Sequence, residues 1–310
     1  MTTDLRPVFF MLASTFSLSL NGLLAKLLSD MFSTEVLGFL RFFLPALLML
    51  LMLKMTCWTI PDRNNWRTIL IRSLCVVGSQ MCFLIALDTL SLVESVVLFS
   101  TGPLFIPLLE KLLLKTPVRA ITLSCLALTF TGVILQAGTP TGIELRPALL
   151  IGLAAGFFNA CSQVTLFKGS KGSLPAAALN GWCFLIAGLL ILPLALVDIS
   201  RNDFAIMQSS ASEIQHLAFP LIILLTACIV STQMFRAKAY RLAHSGSQLA
   251  PLIFTNLMFA VIWQISFFDQ QLSGAKIIGI GLIVLATIIN TFGPKWMRFY
   301  RQKNMTADQQ

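Results

Sequence analysis

Long apolar runs separated by short polar segments dominate this chain. The runs cover positions 7–28, 36–53, 68–88, 92–110, 120–137, 148–168, 174–198, 216–239, 246–267 and 274–293. Most have the ~17–25 residues that a helix needs to cross a hydrocarbon core about 30 Å thick. They are apolar at both odd and even positions, which excludes the alternating segments of about ten residues that build a membrane β-barrel. The pattern predicts an all-α integral membrane protein with ten transmembrane helices.

Composition agrees with that reading. Hydrophobic residues make up 56% and charged residues 11% of the 310 positions, against about 45–50% and 25% in soluble domains. A water-soluble globule is excluded, and the spans leave little chain for a soluble domain. The net charge of +9 would suggest nucleic acid on a folded basic face. Here the cations lie between apolar runs, so they read as topology signals and no nucleic-acid partner is expected. One alternate set of connections holds Arg6; Lys54, Arg63 and Arg67; Lys111, Lys115 and Arg119; Lys168 and Lys171; Arg236, Lys238 and Arg241; and Lys295, Arg298, Arg301 and Lys303. The opposite set holds Lys26, Arg146, Arg201 and Lys276, while Arg41 and Arg72 fall inside spans. Short cytoplasmic loops accumulate Lys and Arg, so both termini are expected in the cytoplasm. The first run is too long for a signal-peptide core and ends at Leu24-Ala25-Lys26 without a small-x-small cleavage site, so it is expected to persist as a helix. The seven cysteines are odd in number and lack CxxC spacing. They read as packing residues, with no metal or cofactor expected.

Self-comparison finds three short matches in the same order in both halves. Leu5-Arg6-Pro7 and Leu145-Arg146-Pro147 open the first and sixth spans, and Ser79-Gln80-Met81 in the third answers to Thr232-Gln233-Met234 in the eighth. Gly132-Val133-Ile134-Leu135-Gln136 closes the fifth where Ala286-Thr287-Ile288-Ile289-Asn290 closes the tenth, each ending on an amide. The offset grows because the connection at 198–213 is longer than the one at 54–67. Five spans per half is an odd number, so the second half enters the membrane from the opposite side. The expected organisation is two inverted five-helix repeats, 1–138 and 139–293, followed by a basic cytoplasmic tail at 294–310. Inverted repeats of this kind serve alternating access around a central site. Chance similarity among Leu-rich helices is the competing reading of the short matches, but the odd span count comes independently from hydropathy.

Further motifs narrow the class. They are Leu40-Arg41-Phe42-Phe43-Leu44 on the second span, the stretch 86–100 with its tight turn, Pro103-Leu104-Phe105 on the fourth and Gly132-Val133-Ile134 on the fifth. In the second half, Ala239-Tyr240-Arg241 leads towards Asn256-Leu257-Met258-Phe259, and Ile278-Gly279-Ile280-Gly281 opens the tenth span. With these, nearly the whole chain resembles the EamA-type drug/metabolite transporter superfamily. It departs from that family where a Gly-Glu pair often follows the fourth and ninth spans, since Lys115-Thr116 and Phe268-Asp269 stand there. Asn256 also replaces the counterpart of Pro103, so a straighter ninth span is expected.

The resemblance implies a secondary transporter in the bacterial inner membrane, moving a small polar or amphipathic metabolite by alternating access. Its substrate would be an amino acid or related compound, with export the favoured direction. Uptake or exchange of a nucleoside-like or S-adenosylmethionine-like metabolite, and polyspecific drug export, stand as alternatives. The implied partners are the small-molecule substrate and the lipid bilayer; oligomeric state is not readable. The resemblance also implies a cavity lined by helices one, three and four and their repeats six, eight and nine.

On those spans the mid-depth amides Asn21, Gln80, Asn159, Gln163, Gln233 and Asn256 are the substrate-cavity candidates. An amide offers donors and an acceptor, so several together replace part of a solute's hydration without adding charge. Interhelical hydrogen bonding, worth about 1–2 kcal/mol, is the competing use. Arg41 lies inside the second span, where a charge costs ~2.5–3.5 kcal/mol unless it finds a partner or snorkels. It either snorkels towards Glu35 or Asp30, or stands near an outer gate or a substrate anion. Lys26 carries the same two readings. No Asp or Glu lies at mid-depth, so transport is expected to be uncoupled, exchange-type, or coupled through Glu94. Gly152, Gly156, Gly279 and Gly281 read as helix-packing positions. Pro103, Pro107 and Pro251 read as hinges because they fall on corresponding helices of the two repeats. No enzyme is expected: HExxH and GxSxG are absent, and His216 and His244 lie near membrane edges. A channel is disfavoured, since there is neither a filter-like loop nor rings of repeated charge.

Overall fold

The computed structural model describes residues 6–29, 31–56, 58–102, 147–201, 212–242, 255–268 and 277–286, with scattered positions within 104–143 and at 252, 253, 274 and 289. They form helices α1 (Arg6–Ser29), α2 (Thr34–Thr56), α3 (Arg63–Thr89), α4 (Leu92–Phe99), α5 (Pro147–Ser170), α6 (Ala176–Arg201), α7 (Ser212–Leu242) and α8 (Thr255–Phe267), and α9 (Ile277–Ala286). Two-residue strands β1 (Gly138–Thr139) and β2 (Gly142–Ile143) pair antiparallel at the boundary expected between the halves.

Six of these helices, α1, α2, α3, α5, α6 and α7, are long and apolar enough to cross a membrane, with mean hydropathy from 1.6 to 2.4. They occupy the first, second, third, sixth, seventh and eighth predicted spans. Their outer faces expose Leu51, Leu189, Leu194 and Phe219, a surface suited to lipid and not to water. Trp58, Trp66 and Trp182 cluster where α2 ends and α3 and α6 begin, with ring centroids 5.8 and 5.6 Å apart. The Trp182 indole N–H donates to the Thr59 carbonyl at 3.3 Å. Indole rings favour the level of the lipid headgroups, beside the basic connection of Lys54, Arg63 and Arg67.

The fourth run departs from the expected continuous span at 92–110. The first helical stretch ends at Phe99. The chain turns at Ser100 and Thr101 and is helical again at Gly102, Leu104 and Phe105, and the N–H groups of Thr101 and Leu104 bond to the carbonyls of Leu98 and Thr101 at 3.2 and 2.8 Å, three residues back. That tighter pattern is a 3₁₀ turn. The three hinge candidates, Pro103, Pro107 and Pro251, lie outside the described residues.

Packing runs between the two halves. α1 packs on α7 and α8, α2 on α6, α3 on α5 and α6, and α4 on α5 and α8. Lipid tails are as apolar as leucine, so close contact depends on small residues and polar groups more than on burial. Gly152 and Gly156 show this. A Cβ added at Gly152 would stand 2.7 Å from Leu98 Cδ1, and one at Gly156 would stand 2.7 Å from the Leu98 carbonyl oxygen and meet Thr101 Oγ1. α5 therefore lies directly against the point where α4 breaks.

Gly156→Ala should lower the melting temperature of the detergent-purified protein, as overpacking costs about 1–3 kcal/mol. Gly281→Ala should leave it unchanged or slightly raised, since nothing lies within 4 Å of a Cβ there. Thermal unfolding of both variants checks the pair.

Candidate functional site

Two adjoining cavities lie between the helices. The larger, of about 40 Å³, is lined on its polar side by Asn21, Arg41, Gln80, Asn159, Gln163, Gln233 and Arg236, and on its apolar side by Phe42, Phe99 and Phe184 among others. The smaller, of about 20 Å³, shares Asn21, Arg41 and Gln80 and adds Asn256. All of the amides singled out in the sequence thus face one or the other.

Arg41 of α2 is 4% exposed. Its Nη2 donates to Asn21 Oδ1 at 2.9 Å and to Gln80 Oε1 at 2.8 Å. It points between α1 and α3 and lines both cavities, so the snorkelling expectation is corrected. Two amide oxygens stand within reach inside the protein, and reaching them needs no path to the surface. Nε and Nη1 of Arg41 are buried without a partner among the described residues.

Arg72 of α3 is 1% exposed and repeats the arrangement. Its Nη2 donates to Asn180 Oδ1 on α6 at 2.7 Å and to Gln233 Oε1 on α7 at 3.1 Å. Arg236 comes three residues after Gln233, hence on the same face of α7. The expectation that Arg236 is a cytoplasmic loop cation is corrected: α7 continues to Leu242, and Arg236 is buried and lines the larger cavity. Tyr240 donates to Gln163 Oε1 at 3.1 Å, and Gln163 Nε2 donates to Asn159 Oδ1 at 3.2 Å, a polar chain along α5. Asn256 is buried with its Oδ1 unpartnered among the described residues.

Lys26 and Glu94 do not line either cavity. Lys26 Nζ donates to the Leu87 carbonyl at 2.5 Å and reaches the Leu90 carbonyl at 3.5 Å, holding the last turn of α3. Glu94 Oε2 accepts from the Ser91 N–H at 2.9 Å and the Ser91 hydroxyl at 2.8 Å, while Ser91 Oγ accepts from the Glu94 N–H at 3.3 Å. The two residues form a capping box at the start of α4. The carboxylate considered for coupling thus serves a helix N-terminus.

Sequence reasoning missed Arg72, Asn180 and Arg236 as site residues. The available signal was Gln233-x-x-Arg236, two polar residues on one face of an apolar helix.

A model of the EamA-like transporter family matches residues 5–137 and 146–292. The curated Protein PecM of Dickeya dadantii (strain 3937) is 28% identical over 198 residues, covering 61% of this chain and 61% of that protein. The match therefore spans about three fifths of that relative's length. A solved crystal structure of a protein is similar with a TM-score of 0.59 at 14% identity, over 92% of this chain and 98% of its own. That likeness concerns the fold alone.

Asn21→Leu should destabilise the protein by about 1–3 kcal/mol by leaving a buried guanidinium donor unmatched. In an Arg41→Leu background the same change should cost clearly less, with a coupling of at least about 0.5 kcal/mol. A double-mutant cycle in denaturant checks it.

Proposed function

The chain belongs to the EamA-like transporter family, and from this we propose that it is a secondary transporter moving a small polar or amphipathic metabolite across the cytoplasmic membrane by alternating access. As a member of that family it is a multi-pass membrane transporter and not an enzyme. The observation that carries the proposal is the amide-lined and guanidinium-lined cavity enclosed between elements of both halves.

Two findings support ten helices in two inverted halves. The same family model matches each half separately. The helix contacts also keep their pattern when the halves are exchanged. The first span on the eighth (α1 on α7) answers to the third on the sixth (α3 on α5), and α1 on α8 answers to α4 on α5. α2 on α6 and α4 on α8 are each their own counterpart. A pseudo-two-fold axis in the membrane plane generates such pairs.

In this reading the halves rock about the cavity, exposing it first to one side and then to the other. With both termini in the cytoplasm, Arg41 lies towards the outer end and Arg236 towards the inner end. Amino acids or related compounds are the favoured cargo and export the favoured direction. The rings of Phe42, Phe99 and Phe184 suit a solute with a flat apolar part, which supports uptake or exchange of a nucleoside-like metabolite as the second reading.

A thermal-shift screen against amino acids, nucleosides, adenosyl compounds, sugar phosphates and cationic drugs should single out one class. A ligand at a hundredfold excess over its dissociation constant stabilises by about 2.7 kcal/mol. The stabilising compound should then show counterflow in proteoliposomes, and Asn159→Ala and Gln233→Ala should abolish both signals. Stabilising compounds that never exchange across the bilayer would contradict the proposal. No carboxylate lines the cavities among the described residues, so counterflow should be independent of pH. Glu94→Gln, which can keep its capping box, should transport like the parent. A steep pH dependence abolished by Glu94→Gln would select coupled transport instead.

A further inference from the structure

Positive charge concentrates at the cavity, with no matching carboxylate among the described residues. Arg41 and Arg236 line it, and Arg72 stands behind Gln233. Nε and Nη1 of Arg41, Nε and Nη1 of Arg72, and Nε and Nη2 of Arg236 are buried without partners among the described residues. No Asp or Glu appears among the residues lining either cavity.

The charges sit at two levels. Gln80, which accepts from Arg41, and Gln233, which accepts from Arg72, occupy matching places in the internal repeat. Gln80 and Arg72 are eight residues apart on α3, about 12 Å along a helix axis. Arg41 therefore marks one level, and Arg72 and Arg236 mark the other.

Guanidinium does not lose its proton in proteins, so these charges persist when buried. Amide oxygens satisfy Nη2 of Arg41 and Arg72, and other donors of the two groups have no partner among the described residues. A neutral solute would match them poorly and a cation would be repelled. A carboxylate accepts two parallel N–H bonds from the planar fork, the strongest match available to it.

We propose that the cavity selects organic anions, with one carboxylate or comparable oxyanion carried on a flat apolar body. Phe42, Phe99 and Phe184 receive the apolar body, and the oxyanion pairs with Arg41 or Arg236 according to which end is open. The hand-off between the two arginines rests on the alternating-access reading above; the charge selectivity rests on the cavity alone.

The test uses the full-length detergent-purified protein and three probes of matched shape: phenylacetate, phenylacetamide and phenethylamine. Binding is read from the rise in melting temperature across a titration. Phenylacetate should bind at least about tenfold more tightly than phenylacetamide, as expected for hydrogen bonds to a charged partner. Phenethylamine should give no shift. Arg41→Gln and Arg236→Gln should each lose about tenfold in phenylacetate affinity while leaving phenylacetamide unaffected, a split that a purely structural role does not produce. The wild-type comparison stands without the variants if either fails to fold. Equal binding of acid and amide, binding of the amine, or silence of phenylacetate together with benzoate and indole-3-acetate overturns the inference. Counterflow of phenylacetate in proteoliposomes separates the two claims. Tight binding without exchange contradicts transport and leaves the charge selectivity standing, whereas exchange of neutral compounds without preference for acids does the reverse.

Discussion

A guanidinium buried at membrane depth is the constraint on which the other features depend. Arg41 keeps its charge and is 4% exposed, so acceptors must come to it from neighbouring helices. Asn21 supplies one from α1 and Gln80 another from α3, which ties the first three helices together. Arg72 does the same for α3, α6 and α7 through Asn180 and Gln233. Apolar burial offers little preference between one helix neighbour and another in lipid. These two polar knots and the glycine contacts therefore decide which helices meet. Each knot leaves guanidinium donors without a partner among the described residues, and the Arg41 knot borders both cavities.

The parts around the cavity differ in how firmly they are held. Lys26 fixes the end of α3 and the Ser91–Glu94 box fixes the start of α4, so the turn between them is clamped from both sides. Ten residues further along, α4 gives way to a 3₁₀ turn against Gly156 of α5. A clamped corner thus stands next to a break in the helix. The small residues of α5 are what let the backbones approach there.

Much of the fold was legible because run length and apolar content alone specify a membrane helix, and the six long helices fall on predicted spans. The fourth run reads as one span because its hydropathy is continuous, although a proline at 103 removes a helical hydrogen bond that hydropathy does not register. The amides were legible because an uncharged polar residue inside an apolar run has few other uses. Arg236 was not, since a cation near the end of a run looks like a loop residue until α7 is seen to extend past it. One partner of Arg72 lies 108 residues away on α6 and the other 161 residues away on α7, pairings that no local pattern carries. Glu94 is the opposite case. Ser91-x-x-Glu94 before an apolar run is itself a capping signature, and the absence of other buried carboxylates draws attention to coupling instead.

The central claim is that one cavity between two halves is opened to each side of the membrane in turn. Ser162 lines the larger cavity and is buried, so a single cysteine there, Ser162→Cys in a background without the native cysteines, reports directly on access. Right-side-out and inside-out vesicles would be treated with a membrane-impermeant maleimide. The proposed alternating access predicts labelling from both faces in vesicles that remain impermeable to the reagent. Labelling from one face only, or from neither, would contradict it.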